Sequence, residues 1–170
     1  MNRVVSKQII VNLSEQRLLL IDGTHEIMRF AVSTAANGAG ERSGSECTPR
    51  GRHVIRAMIG RECPVNTVFV GRRPTGEIYA PQLAVQYPDR DWILTRILWL
   101  CGREPGTNRY GPVDTMQRYI YIHGCPDETE MGVPGSHGCI RMHNDDVIRL
   151  FDQVTVGTPV LIREHDSAQS

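Results

Sequence analysis

The sequence predicts a mostly β domain with one or two short helices, and three observations carry that prediction. First, Gln8 to Leu13 places Ile9, Val11 and Leu13 on one face, and after a Ser14-Glu15-Gln16 turn an apolar run extends from Arg17 to Ile21, the pattern of a β-hairpin. Second, Asp22-Gly23, a favoured tight-turn dipeptide, leads into a third strand from His25 to Ser33, so an antiparallel meander is expected. Third, only Asn144 to Val154 has a convincing helical period. There Val147, Phe151 and Val154 share a face, acidic residues fill the first turn, and Asn144 is placed to cap it.

The remaining segments are read in the same way. Residues 34–51 are rich in Ala, Asn, Gly, Ser and Glu and predict a long loop. It closes on Thr48-Pro49-Arg50-Gly51, which returns the chain to a strand at His53 to Met58. Apolar runs at Trp92 to Leu100, Arg118 to His123 and Pro159 to Arg163 predict further strands, while Gly60 to Asp91 fits neither period cleanly. No internal repeat or low-complexity segment divides the 170 residues. One hydrophobic core and a single domain over residues 1–170 are the expectation.

Composition narrows the partners. Lys plus Arg and Asp plus Glu balance at 19 each, so no net field favours nucleic acid or a membrane surface. An apolar share of 40% with 16 Gly and 10 Pro suits a turn-rich globular protein. Met1 to Lys7 lacks the apolar core of a secretory signal, and no stretch reaches transmembrane length. Five cysteines at irregular spacing do not form a disulfide framework, and together these features favour a reducing cytosol.

Chemistry concentrates in two segments. Tyr119-Ile120-Tyr121-Ile122-His123-Gly124 ends one strand, and Ser136-His137-Gly138-Cys139-Ile140-Arg141 follows after a stretch bounded by Gly124 and Gly135. A thiol is a weak nucleophile until it loses its proton, so a catalytic Cys139 needs an imidazole, and His123 and His137 are the candidates. Gly135 and Gly138 lack a Cβ, which lets backbone N–H groups approach a substrate carbonyl and stabilise the oxyanion formed on attack.

Ile-His-Gly at a strand end, a Gly-rich connection of this length, and Ser-His-Gly-Cys followed by an apolar residue and Arg resemble the signature of YkuD-type L,D-transpeptidases. The resemblance covers roughly residues 6–163, including the N-terminal hairpin, the Thr48-Pro49-Arg50-Gly51 turn and the closing Gly157-Thr158-Pro159-Val160. It implies a β-sandwich-like catalytic domain acting on peptidoglycan stem peptides without a cofactor. Its nucleophile attacks the carbonyl preceding D-alanine in a tetrapeptide, usually that of meso-diaminopimelate, and a thioester forms. By the same resemblance Cys139 is the nucleophile and His123 the general base, with its tautomer held by backbone groups around Gly124. His137, Gly138 and Cys139 supply oxyanion N–H groups, and Ser136 and Arg141 contact substrate, the arginine fork matching a carboxylate. The sequence departs from the family in lacking an export signal and in carrying Cys125. Water is therefore the expected acceptor, which makes the expected activity an L,D-carboxypeptidase of cell-wall recycling. The alternatives are a cross-linking transpeptidase exported to the periplasm and an inactive wall-binding module.

Plainer readings apply elsewhere. Cys47, Cys63 and Cys101 read as small buried hydrophobes, and Cys125, next to His123-Gly124, as a loop residue or else a second reactive thiol. A zinc site built from His123, His137, His143, Cys125 and Cys139 has the right donors but none of the usual ligand spacings. His25, His53 and His165 receive no role, Trp92, Trp99 and Phe151 read as core, and Arg72-Arg73 beside Pro74 reads as a solvated turn.

Overall fold

The N-terminal meander is present as read: β1 (Lys7–Asn12), β2 (Arg17–Asp22) and β3 (His25–Ala31) pair antiparallel in the computed structural model, which describes residues 6–166. The reading of Met1 to Val5 lies outside the described residues. Seven further strands follow: β4 (Gly51–Ile59), β5 (Thr67–Val70), β6 (Arg73–Ile78), β7 (Ile93–Gly102), β8 (Tyr121–Cys125), β9 (Ile140–His143) and β10 (Pro159–Arg163). Two α-helices accompany them, α1 (Pro81–Gln86) and α2 (Asn144–Phe151). None of the described helices is long and apolar enough to cross a membrane.

One curled sheet results. Its main path runs β3-β2-β1-β10-β4-β7-β5-β6, while β8 pairs the other edge of β7 and β9 adds beyond β8. The two ends then meet: just past β3, Ser33 exchanges backbone hydrogen bonds with Arg141 of β9, at 3.0 and 2.9 Å. Closure of this kind satisfies an edge that would otherwise expose unpaired N–H and C=O groups. The enclosed core draws on nearly every element, with Ile9, Leu18, Ile55, Leu98, Ile122 and Ile140 fully buried. α2 inserts Val147, Leu150 and Phe151 into the same cluster.

Several segments differ from their sequence reading. The stretch from Gly60 to Asp91 folds as the β5–β6 hairpin and α1, whose elements are too short for either period to register. The run from Arg118 becomes a strand only at Tyr121, since Tyr119 takes a left-handed backbone (φ 57°) that departs from extended geometry just before it. β9 is too short to be read from its pattern. α2 stops at Phe151 rather than Val154, although Val154 remains buried. Asn144 caps nothing: it is fully buried, and its amide joins Thr95, Asn66 and Asp127 in a polar knot beneath β8.

His53 of β4 is enclosed within the fold, its Nδ1 3.0 Å from Gly51 O and its Nε2 2.9 Å from Thr115 Oγ1. Burial pushes its pKa down to about 4, below the ordinary value of about 6.5. The unfolded chain therefore binds the extra proton first. Stability is full above about pH 6.5 and falls progressively as the pH drops toward 4, by up to roughly 3 kcal/mol from this residue. Denaturant midpoints measured from pH 7 to pH 4 should show that slope, and His53→Gln should flatten it; an unchanged slope would remove His53 as its source.

Candidate active site

The pairing of β8 with β9 sorts the sequence motif into two faces. The strands run parallel with Ile122 opposite Ile140 and His123 opposite Arg141. Because side chains alternate, Ile120, Ile122, Ile140 and Met142 enter the core, while Tyr121, His123, Cys139 and Arg141 share the opposite face. Cys139 sits where the chain enters β9, partly buried against Ile97 and Tyr121. Its Sγ accepts the Tyr121 N–H at 3.3 Å and lies 3.4 Å from Tyr119 O, to which the thiol proton is donated.

His123 is completely buried and has one ring contact, Nδ1 to Gly124 O at 2.6 Å. A carbonyl only accepts, so the proton resides on Nδ1 and the Nε2 lone pair is left open. Among the described residues no hydrogen-bond partner meets Nε2. Gly124 also leaves room where a side chain could not fit. A Cβ there would collide with Asn144 Oδ1 and with Leu94 O at 2.6 Å. Burial lowers the His123 pKa and pushes the Cys139 thiol up to about 12, so both groups rest neutral.

The turn before Cys139 is built by contacts absent from the motif. Ser136 Oγ accepts the Gly138 N–H at 3.1 Å and donates to Cys139 O at 2.6 Å. Fully buried Thr48 donates its hydroxyl to Gly138 O at 2.8 Å and accepts the Ala35 N–H at 3.0 Å. Gly138 has φ 132°, where a side chain is strained, and a Cβ there would press on Cys47 O at 3.2 Å. Residues 34–36, read only as loop, grip the other side: Gly135 and Ser136 donate to Thr34 O, and Ala36 donates to Ser136 O.

These contacts bear on the expected site residues. Ser136 is buried, and its hydroxyl is engaged within the turn that presents Cys139. The Gly138 N–H is already taken by Ser136 Oγ, while no backbone acceptor among the described residues meets the N–H groups of His137 and Cys139. Arg141 pairs with Asp91 at 3.0 Å and also donates to Gly135 O at 3.0 Å, so in this structure its fork is occupied from within the chain. Cys125 is no loop residue: it closes β8, buried, with its thiol 3.2 Å from Met142 O and its pKa raised by burial to about 11. Cys47, Cys63 and Cys101 are only partly buried. Among the described residues no group of three or more His, Cys, Asp or Glu is arranged to hold a metal ion.

A cleft of about 510 Å³ opens over Cys139 and is lined by Arg72, Arg118, Tyr119, Tyr121 and His137 among others. His137 is exposed and stands 3.7 Å from Glu46. Arg118 closes one wall, donating to the carbonyls of Gly40, Glu41 and Cys47 and so tying the 38–47 loop to the cleft. Beyond it an adjoining hollow of about 300 Å³ shares Arg118, Tyr119, Ile120 and His137. A similarly large hollow of about 550 Å³, between Lys7 and the segment from Gln153 to Pro159, offers among its described residues Lys7 as the one ionisable group and the hydroxyls of Ser6, Thr155 and Thr158, with neither thiol nor imidazole to activate them. The Cys139 cleft, by contrast, has both a thiol and an imidazole in its lining, which makes it the candidate site.

The sequence and the fold have counterparts among known proteins. The YkuD L,D-transpeptidase catalytic domain profile matches residues 6–162. The chain is 35% identical over 130 residues to the "Probable L,D-transpeptidase ErfK/SrfK" of Salmonella typhimurium, covering 67% of this chain and 39% of that protein. It is 28% identical over 127 residues to the "Probable L,D-transpeptidase YbiS" of Escherichia coli, covering 66% and 39% respectively. The chain thus spans less than half the length of these two relatives. In fold it is similar to L,D-transpeptidase 3 from Mycobacterium tuberculosis, with a TM-score of 0.58 at 14% identity over 94% of this chain and 62% of that one. With the profile match spanning nearly the whole sequence, the chain belongs to the YkuD L,D-transpeptidase catalytic domain family.

Proposed function

We propose that this protein removes D-alanine from peptidoglycan stem tetrapeptides through a thioester on Cys139, with His123 as the general base. The observation that carries this reading is the shared face of the β8–β9 pair. It sets a sulfur at a cleft and an imidazole with an open Nε2 on one face of the same strand pair, with Arg141, the partner of Asp91, opposite His123 in the register.

As Cys139 Sγ attacks the carbonyl carbon of the residue before D-alanine, its proton passes to His123 Nε2. Charge develops on the carbonyl oxygen and is met by the N–H groups of His137 and Cys139. Collapse of this intermediate breaks the C–N bond, and the imidazolium proton goes to the departing amine of D-alanine. Water then adds to the thioester while Nε2 takes its proton. A second collapse breaks the C–S bond and returns that proton to sulfur, giving net hydrolysis. Water needs no recognition site beyond the open cleft. A second reading, transfer to the amine of another stem peptide, is favoured by the adjoining 300 Å³ hollow, which reaches the same His137 and Tyr119.

Incubation of the protein with a tetrapeptide muropeptide, alone and then with an acceptor stem, should yield tripeptide and free D-alanine as the main products by mass analysis. Cross-linked dimers as the main product would replace hydrolysis by transpeptidation. Cys139→Ala should abolish turnover, and His123→Ala should lower it by about two orders of magnitude or more; an active Cys139→Ala would end the cysteine reading.

Because the resting pair is neutral, the thiolate is scarce at neutral pH. Site-resolved alkylation by iodoacetamide should accelerate at Cys139 through the alkaline range, with an inflection above the ordinary thiol value of about 8.5. A plateau already reached at pH 7 would instead indicate a thiolate–imidazolium pair.

A further inference from the structure

Arg72 occupies a backbone position that ordinarily excludes it. Val70 and Arg73 are the last paired residues of the β5–β6 hairpin, so Gly71 and Arg72 form its two-residue tip. Their φ values are 55° and 64°. Two consecutive positive φ angles make this the turn whose second position is normally glycine. A long side chain held there carries local strain, which persists only where surrounding contacts oppose it, and such strain concentrates at functional sites.

The opposing contacts are specific. The guanidinium stacks 4.5 Å from the ring centre of Trp99 and 4.9 Å from that of Tyr119, and its Nη1 donates to Tyr121 Oη at 3.0 Å. These bonds draw the hairpin tip onto the Cys139 cleft, which Gly71 and Arg72 both line. Tyr121 links the two sites directly, because its phenol holds Arg72 and its backbone N–H holds Cys139 Sγ.

The other basic side chains in or beside the cleft have partners. Arg118 donates to backbone carbonyls of the 38–47 loop, His137 stands 3.7 Å from Glu46, and Arg141, just outside the cleft lining, pairs with Asp91. Arg72 has no carboxylate partner among the described residues, and its one hydrogen bond goes to Tyr121. Its ring contacts fix the plane of the fork, which suits a flat carboxylate, and its other N–H donors remain unused.

We propose that Arg72 binds a carboxylate of the substrate held in the Cys139 cleft and so makes the enzyme selective for acidic stem peptides. This rests on the stem-peptide reading given above. Two substrate carboxylates have the required chemistry: the C-terminal carboxylate of D-alanine and the side-chain carboxylate of the preceding diamino diacid.

The test compares kcat/KM of the wild type and of Arg72→Gln on three tetrapeptides: unmodified, amidated at the C-terminus, and amidated on the diacid side chain. The wild type should prefer the unmodified peptide over one of the amides by roughly tenfold or more, expressed mainly in KM. Arg72→Gln should lose most of that preference, and the amide concerned identifies which carboxylate is bound. Arg72→Lys should recover only part of it, while Arg73→Gln, on the exposed neighbouring residue, should keep it. A purely structural role for Arg72 would lower all three rates together and leave their ratios unmoved, which would overturn the proposal. So would a wild type that turns over the unmodified peptide and both amides equally. If the wild type released no D-alanine from any stem peptide, the stem-peptide reading itself would fall, and this proposal with it.

Discussion

The parallel register of β8 and β9 is the constraint on which the rest of the structure depends. With Ile122 opposite Ile140 and His123 opposite Arg141, one face of two short strands seals the core and the other carries the whole candidate active site. A one-residue slip of either strand would exchange isoleucines for a histidine or an arginine in the interior, so core packing enforces the site's geometry. Parallel neighbours also cannot be joined by a tight turn. The connection from Pro126 to Cys139, with glycines at 132, 135 and 138, is the crossover that this pairing demands, and the turn presenting Cys139 lies at its end.

Closure of the sheet reinforces that register from a distance. Ser33 pairs with Arg141 on the free edge of β9, and Thr34, Ala36 and Thr48 hold the turn from Gly135 to Gly138 through backbone and hydroxyl contacts. Below β8, the Asn144 amide fills the space that a side chain on Gly124 would need, and the Gly124 carbonyl fixes the His123 tautomer. A helix residue, a loop threonine and a strand glycine thus act on the same two groups. All three contacts are buried, where an unsatisfied polar group would cost about 1–3 kcal/mol, so each is strongly specified.

Much of this was legible in the sequence, and the parts that were not share a cause. The meander was readable because alternation and the Asp22-Gly23 turn are local signals. The two halves of the motif were readable because a nucleophilic cysteine needs an imidazole and small neighbours. Thr48 was visible only as part of a turn, since its partner Gly138 lies 90 residues away. Arg141 was expected to be open to a carboxylate because nothing local shows Asp91, 50 residues earlier, beside it. Arg72 was read as a solvated turn for the same reason. Its neighbours Trp99, Tyr119 and Tyr121 are distant in sequence and become adjacent only when β5, β7 and β8 assemble.

The shared face of β8 and β9 matters chemically only if Cys139 carries the acyl group, and intact-protein mass spectrometry tests that claim most directly. The protein would be mixed with a stem tetrapeptide, quenched in acid within the first turnovers, and digested to locate the adduct. A thioester mass increase lacking D-alanine, confined to the peptide that contains Cys139 and decaying as tripeptide accumulates, is the predicted result. Turnover without a covalent adduct, or an adduct on Cys47 or Cys63 instead, would contradict the account.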